Sequence, residues 1–294
     1  MSTKQWQSTC LKSDVISNLL FMKIENCNTE NLVSVVIPCF NSESFIRECI
    51  YSVLGQTYDE IEVIVVDDGS TDGTLKILEE FSKSITVLKQ ENHGAASARN
   101  RGIKQSRGRF IALLDSDDIW KPDKLEKQMD IMRNSNFDLV YCGGESMGQA
   151  GPPRRYVPSF SGNCYQHFVE NPTKAIVILG CSSAVFRKSI LDQSGYFNED
   201  FMGAAEDWDF FRRYSRHGEF GFSEEILMKY RFHYNSISNR NLSDFCFGNF
   251  RAIVRMFDED RAITTTRRTI IFMKFGLIIL KSAIKKHKNI ESNH

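Results

Sequence analysis

Between residues 33 and 142 the chain switches repeatedly between unbroken apolar runs and stretches of helical period. The runs are 33–38 (VSVVIP), 61–67 (IEVIVVD), 85–88 (ITVL), 110–115 (FIALLD) and 137–142 (FDLVYC). Continuous β-branched runs of this length predict strands covered on both faces. Between them, Ile46, Cys49, Ile50, Val53 and Leu54 share one helix face, and Leu75, Ile77, Leu78 and Phe81 do so more loosely. Residues 95–103 and 124–133 complete the alternation. Strand–helix alternation means βαβ units, so the expected class is α/β: a mostly parallel, Rossmann-like central sheet flanked by helices. A length of 294 residues suits one large domain, or one domain with a small appendage.

In such sheets ligands bind beyond the carboxyl ends of the strands. The polar residues there are Asn41 and Glu43, then Asp67, Asp68, Gly69 and Ser70, then Asn92, His93 and Gly94, then Asp115, Ser116, Asp117 and Asp118. Neither a GxGxxG nor a GxxxxGK[ST] motif follows the first strand, which argues against a dinucleotide-binding fold or a P-loop enzyme. Asp115, Asp117 and Asp118 are too close to ionise together without a cation, and a hard divalent ion such as Mg²⁺ or Mn²⁺ would satisfy them. The competing reading is a turn and helix cap, which Asp also favours. Asp67 and Asp68 similarly suit either a helix start or a carboxylate that binds a base or ribose. Glu206 and Asp207 open a helical stretch beside aromatics, as a general base would or as an ordinary acidic N-terminus would. His233 follows an apolar run and precedes Asn235 and Ser236, a place from which it can face a site.

Beyond residue 142 the pattern changes. Residues 143–158 are rich in Gly and Pro, carry Arg154 and Arg155, and read as a long loop. Residues 176–186 are apolar with small side chains, 205–217 are helical in character and 226–232 resemble a strand. From Arg261 onward eight basic residues face Glu291 alone, a net charge of +7 in a chain whose 37 basic and 37 acidic residues cancel. The apolar residues there are too few and too interrupted to span a bilayer, but a basic helix lying at a membrane interface fits them, as does a packed helix with a solvated basic face. Zero net charge argues against a nucleic-acid partner, and a mean hydropathy of −0.32 against a polytopic membrane protein. The eight cysteines form no CxxC pair, and most read as core residues of a reducing compartment. Residues 1–31 read as an extension with one short helix over 14–22 and without a secretory leader, so the expected compartment is the cytoplasm.

Set in order, the blocks VSVVIPCFN, SVLGQTY, EVIVVDDGSTDGT, NHGAASARNRGI, FIALLDSDDIWKPDKLE, GYFNED, AEDWDFFRR and YRFHYNSIS resemble the family 2 glycosyltransferases. The likeness runs from Val33 to Ser238, about two-thirds of the chain. It implies a GT-A fold over 32–240, divided into a nucleotide-sugar half (32–142) and an acceptor half (143–240), with 241–294 as a C-terminal helical basic tail. It also implies roles. Pro38, Phe40, Asn41 and Glu43 would belong to the loop that receives the nucleotide, with Phe40 standing where Tyr is usual. Asp68 would read the base and Arg99 would lie near the nucleotide. Asp115-Ser116-Asp117 resembles the DXD motif, with Asp117 as direct metal ligand and Asp115 supporting ribose or metal. Asp207, next to Glu206, would be the catalytic base, and His233 would reach the metal or the diphosphate.

The implied activity is metal-dependent, inverting transfer of a sugar from a nucleotide-sugar donor, expected to be a UDP-hexose. The implied acceptor is a hydroxyl of a glycan or lipid-linked molecule in surface polysaccharide or glycoconjugate assembly. The implied cofactor is Mn²⁺ or Mg²⁺. The basic tail would allow peripheral contact with the inner face of the membrane. Two other classes compete. A non-catalytic sugar-nucleotide-binding subunit would not need Asp115, Asp117 and Asp207 together. A nucleotidyltransferase would need a Gly-rich basic loop where this chain has PCFNSE.

Overall fold

The computed structural model describes residues 29–148, 151–170, 180–201, 205–233, 242–261 and 263–277. The short helix expected over 14–22 lies outside them. The first strands are β1 (Val33–Cys39), β2 (Ile61–Asp67), β3 (Thr86–Lys89) and β4 (Phe110–Leu113). Helices α1 (Ile46–Leu54), α2 (Thr74–Glu79) and α3 (Ala95–Gln105) connect them. The ladders β3–β2–β1–β4 are parallel throughout, as the apolar runs require. Every residue of β1 and β2 is buried. On one face Val33, Val35 and Ile37 pack with Ile46, Cys49, Ile50 and Val53 of α1. On the other, α3 lies so close that a Cβ on Gly102 would stand 2.4 Å from Val36 Cγ1.

The second half uses β5 (Ile119–Trp120), α4 (Lys124–Arg133), β6 (Leu139–Met147), β7 (Arg155–Tyr156) and α5 (Tyr165–Glu170). Then come β8 (Ala184–Arg187), α6 (Leu191–Ser194), α7 (Glu206–Tyr214), β9 (Phe220–Arg231) and α8 (Leu242–Glu259). Residues 265–277 form a further helix, α9. Among the described residues the sheet has nine strands in the order β3-β2-β1-β4-β8-β6-β9-β5, with β7 on β6. β8 enters between β4 and β6 antiparallel to both. The parallel arrangement therefore belongs chiefly to the first four strands.

Residues 143–158 are not one long loop. β6 continues to Met147 and β7 pairs back on it at Gly144 and Glu145. Gly143 and Gly144, two of the glycines that suggested a loop, sit at register shifts between β6 and β9. A Cβ at Gly143 would lie 2.9 Å from Glu225 O, so the residue serves strand approach rather than a turn. β9 likewise starts at Phe220, six residues before the expected strand, because FGFSEE hides its period behind Gly and acid. Cys39, Cys49, Cys142, Cys164 and Cys181 are free and buried. At the C-terminal end Ile253, Met256, Phe257, Ile263, Ile271 and Phe275 form a core with Val169, backed by Tyr165 and Trp208.

Candidate active site

The carboxyl ends of β1, β2 and β4 converge as the βαβ rule demands. Pro38 lies inside β1, paired with Val66 and buried, so it sets the strand's exit rather than facing solvent. Phe40, just beyond, is 46% exposed. Asn41 adopts φ +48°, and its Oδ1 accepts from Thr71 N–H at 2.8 Å. Glu43 turns the other way: its Oε2 accepts from Gly73 N–H at 2.7 Å, where the N-terminus of α2 offers free donors. Both side chains clasp the loops after β1 and β2 together. Asp68 is buried; Oδ1 accepts from Gln90 Nε2 at 2.8 Å and His93 N–H at 2.9 Å, and Oδ2 from Gly94 N–H at 2.8 Å. It holds the β3–α3 connection and keeps about one lone-pair position for a ligand.

The acidic turn after β4 is split by its surroundings. Asp115 N–H donates to Ser182 Oγ at 3.0 Å, and Asp115 Oδ1 accepts from Arg99 Nη2 at 2.7 Å. Ser116 and Ser42 share a hydroxyl–hydroxyl bond of 2.8 Å. Asp118 points inward, is 1% exposed and accepts Arg231 N–H at 3.0 Å. Burial, then Asp117 and Asp115, hold its carboxyl well above the ordinary aspartate range. Asp117 Oδ2 lies 2.9 Å from His233 Nε2. Burial and the Asp115 charge raise the Asp117 carboxyl, while His233 opposes the shift. The His233 ring packs on Phe45 at 4.6 Å. Arg231 donates from Nε to Asp117 O at 2.8 Å and from Nη2 to Glu48 at 2.6 Å, bracing the turn from behind.

Opposite stands the start of α7. Ala205 caps it in the left-handed region, φ +65°. Ala205 and Asn41 are the two non-glycine residues at positive φ among the described residues, and both border the site. Glu206 Oε1 lies 3.5 Å from Arg99 Nη1. Asp207 Oδ1 accepts from Trp208 N–H at 2.7 Å. Burial raises both carboxyls; Arg99 restrains each. The Arg99 side chain is only 6% exposed and carries two nitrogens, Nε and Nη1, without hydrogen bonds. Burial works against its charge, yet the carboxylates of Asp115 and Glu206 more than offset it. One buried guanidinium thus links the acid turn after β4 to the acid pair opening α7.

No group of three or more His, Cys, Asp or Glu side chains among the described residues is arranged to hold a metal. Asp115 is engaged by Arg99 and Asp118 faces the interior, which leaves Asp117 with His233. A carboxylate–imidazole pair would suit a divalent ion that takes its remaining ligands from substrate phosphates and water, the imidazole favouring a transition ion such as Mn²⁺ over Mg²⁺. The three-carboxylate cage suggested by the acidic run does not form.

The family model "Glycosyl transferase family 2" matches residues 34–195. The chain belongs to this family. Among relatives of the glycosyltransferase, a putative teichuronic acid biosynthesis glycosyltransferase of Bacillus subtilis, TuaG, is 34% identical over 218 residues, covering 72% of this chain and 83% of the relative. The Escherichia coli UDP-Glc:alpha-D-GlcNAc-diphosphoundecaprenol beta-1,3-glucosyltransferase WfgD is 37% identical over 163 residues, 55% of this chain and 62% of WfgD. The chain spans 36% of a longer Rickettsia felis glycosyltransferase, to which it is 35% identical over 220 residues, 71% of this chain. S. aureus TarS 1–349 in complex with UDP-GlcNAc shares the fold at TM-score 0.63 and 23% identity, covering 77% of this chain and 66% of that one. The mannosyltransferase PcManGT of Pyrobaculum calidifontis, in complex with GDP-Man and Mn²⁺, aligns at TM-score 0.59 and 16% identity over 85% of this chain and 74% of that one. The α/β fold of the glycosyltransferase is thus that of GT-A enzymes. No helix among its described residues is long and apolar enough to cross a membrane.

Sequence reasoning placed Asp115, Asp117, Arg99, Glu206, Asp207 and His233, and the fold brings them together. It missed Ser182 and Arg231. Arg231 stood inside the quoted YRFHYNSIS block, two residues before His233; Ser182 carried no local signal.

Proposed function

We propose that this glycosyltransferase moves a hexose from a nucleoside diphosphate donor, UDP foremost, to a hydroxyl of a glycan or lipid-linked acceptor during surface polysaccharide assembly, inverting the anomeric centre. The relatives named for teichuronic acid and diphosphoundecaprenol substrates support the pathway class. The observation that carries the reading is Arg99, 2.7 Å from Asp115 and 3.5 Å from Glu206, which couples a diphosphate-side acid turn to an acceptor-side base. Residues 32–142 then form the donor half, 143–240 the acceptor half and 241–294 a helical tail. The expected compartment is the cytoplasm.

In this mechanism Phe40 stacks on the base and Asp68 accepts from it. Asp117 and His233 would hold a divalent cation, Mn²⁺ or Mg²⁺. When bound, the cation offsets charge on the departing diphosphate, so no protein acid is required there. Asp207 accepts the acceptor hydroxyl proton on the face opposite the leaving group. Its raised pKa makes it a stronger base than an exposed aspartate. Trp208 N–H orients it, and Arg99, paired with Glu206 at 3.5 Å, supplies a positive charge nearby. Displacement in one step turns an α-linked donor sugar into a β-linked product.

Thermal stabilisation by UDP, dTDP, GDP and CDP, each with Mn²⁺, Mg²⁺ or neither, tests the donor site. Binding at 100 times the dissociation constant adds about 2.7 kcal/mol. The expected result is a metal-dependent shift with UDP. A shift indifferent to metal overturns the cation role, and no shift with any nucleotide overturns the donor role. Product NMR showing retained configuration overturns the single displacement.

A further inference from the structure

α9 buries Ile271 and Phe275, 4% and 5% exposed, against Val169, Ile253, Met256 and Phe257. Its other side is apolar too. Ile270 is 46% exposed, Met273 65% and Leu277 57%, positions three, four and seven apart that share one helix face. Arg267 and Lys274 share that face with Ile270. Phe272, at 38% exposure, lies on a separate flank of the helix, where it meets Phe250, at 43%, with ring centroids 5.9 Å apart. From Arg261 to Leu277 there are four basic residues and no acidic one. A solvated helix keeps its outward ridge polar. This one keeps Met, Leu and Ile there, bordered by cations.

We propose that this ridge docks on a bilayer surface bearing anionic headgroups, with α9 lying in the interface. The thirteen described helical residues extend about 20 Å, and with Arg267, Arg268 and Lys274 among them they suit a helix lying along the interface. Charge selects lipid over a second copy. A two-fold pairing would place the same patch on itself and bring Arg267 and Lys274 against their own like charges. Arg267 and Lys274 also brace α9 on the domain, at 3.8 Å from Glu170 Oε1 and 3.3 Å from Glu170 O, so both serve the surface and its mounting. The mounting continues inward. Arg268 donates to Phe257 O at 2.7 Å, and Glu259 of α8 accepts from Arg212 of α7 at 2.6 Å. A membrane-bound α9 therefore holds the helix bearing Asp207 at a set distance from the bilayer. The docking does not depend on the transfer chemistry.

The test is flotation of the full chain with vesicles of phosphatidylglycerol and phosphatidylcholine in equal parts, against phosphatidylcholine alone. The chain is expected to float with the anionic vesicles and to be released by added salt. M273E/L277E is expected to abolish flotation, and R267Q/K274Q to weaken partition about fivefold per charge. Both variants should retain the nucleotide shift, and M273E/L277E the wild-type thermal midpoint as well, which separates this outcome from failure of the donor site. Wild-type chain that stays unbound to anionic vesicles overturns the proposal. So does M273E/L277E binding as wild type, or light scattering that shows a dimer abolished by M273E/L277E.

Discussion

His233 Nε2 sits 2.9 Å from Asp117 Oδ2, although 116 residues separate them. β4 ends one turn before Asp117 and β9 ends two residues before His233, so the sheet itself joins them. Asp117→Ala and His233→Ala are each expected to remove the metal-dependent part of nucleotide stabilisation. Asp117→Ala should cost at least about a hundredfold in kcat/KM, about 2.7 kcal/mol. Differential scanning fluorimetry with and without Mn²⁺ checks the first; initial rates check the second.

Arg99 answers to two carboxylates from a buried position. Arg99→Met leaves Asp115 and Glu206 without their cation and is expected to destabilise by about 3–5 kcal/mol. Arg99→Lys keeps the charge but lacks the planar fork that reaches both partners, so its loss should be intermediate. Urea unfolding at neutral pH measures both. Equal stability of Arg99→Met and wild type would refute the bridge.

Lys124 opens α4 with no exposed surface, its Nζ 4.0 Å from the Trp120 ring centroid and 2.6 Å from Gln128 Oε1. Burial lowers its pKa from 10.5 to about 8. Between pH 8 and 10.5 the unfolded chain holds this proton and the folded chain does not. Stability contributed by this residue is therefore lowest below about pH 8 and grows as pH rises through that window, by roughly 3 kcal/mol in all. Lys124→Met should flatten that rise. The difference between wild-type and variant urea curves from neutral to alkaline pH isolates it from other groups.

Glu259 joins α8 to α7. Its carboxylate accepts from Arg212 and Arg255, at 2.6 and 2.7 Å, while Asp209 takes both Arg212 and Arg213. Glu259→Gln should cost about 1–3 kcal/mol by weakening the partner of a fully buried guanidinium. Because α7 begins with Glu206 and Asp207, kcat should fall while the donor KM stays near wild type. A rise in KM with unchanged kcat would assign Glu259 to the donor side instead.

The strands β1, β2 and β4 and the helices between them were legible because their signals are local. A buried strand must be apolar along its length, and a helix must repeat its apolar face every three or four residues. The acidic ends were legible for the same reason, since ligands collect where parallel strands stop. The glycine-rich start of 143–158 misled because Gly143 suits a bulge as well as a loop.

Sequence by itself determined the α/β class, the identity of the front strands and the residue types at their ends. Tertiary structure alone decided that β8 enters antiparallel, that Glu43 caps a helix, that Lys124 is buried and that Arg99 faces both Asp115 and Glu206. The first group follows from periodicities within one element. The second depends on which distant side chains share a space and on which charges must be paired once water is excluded, and no window of sequence holds both partners.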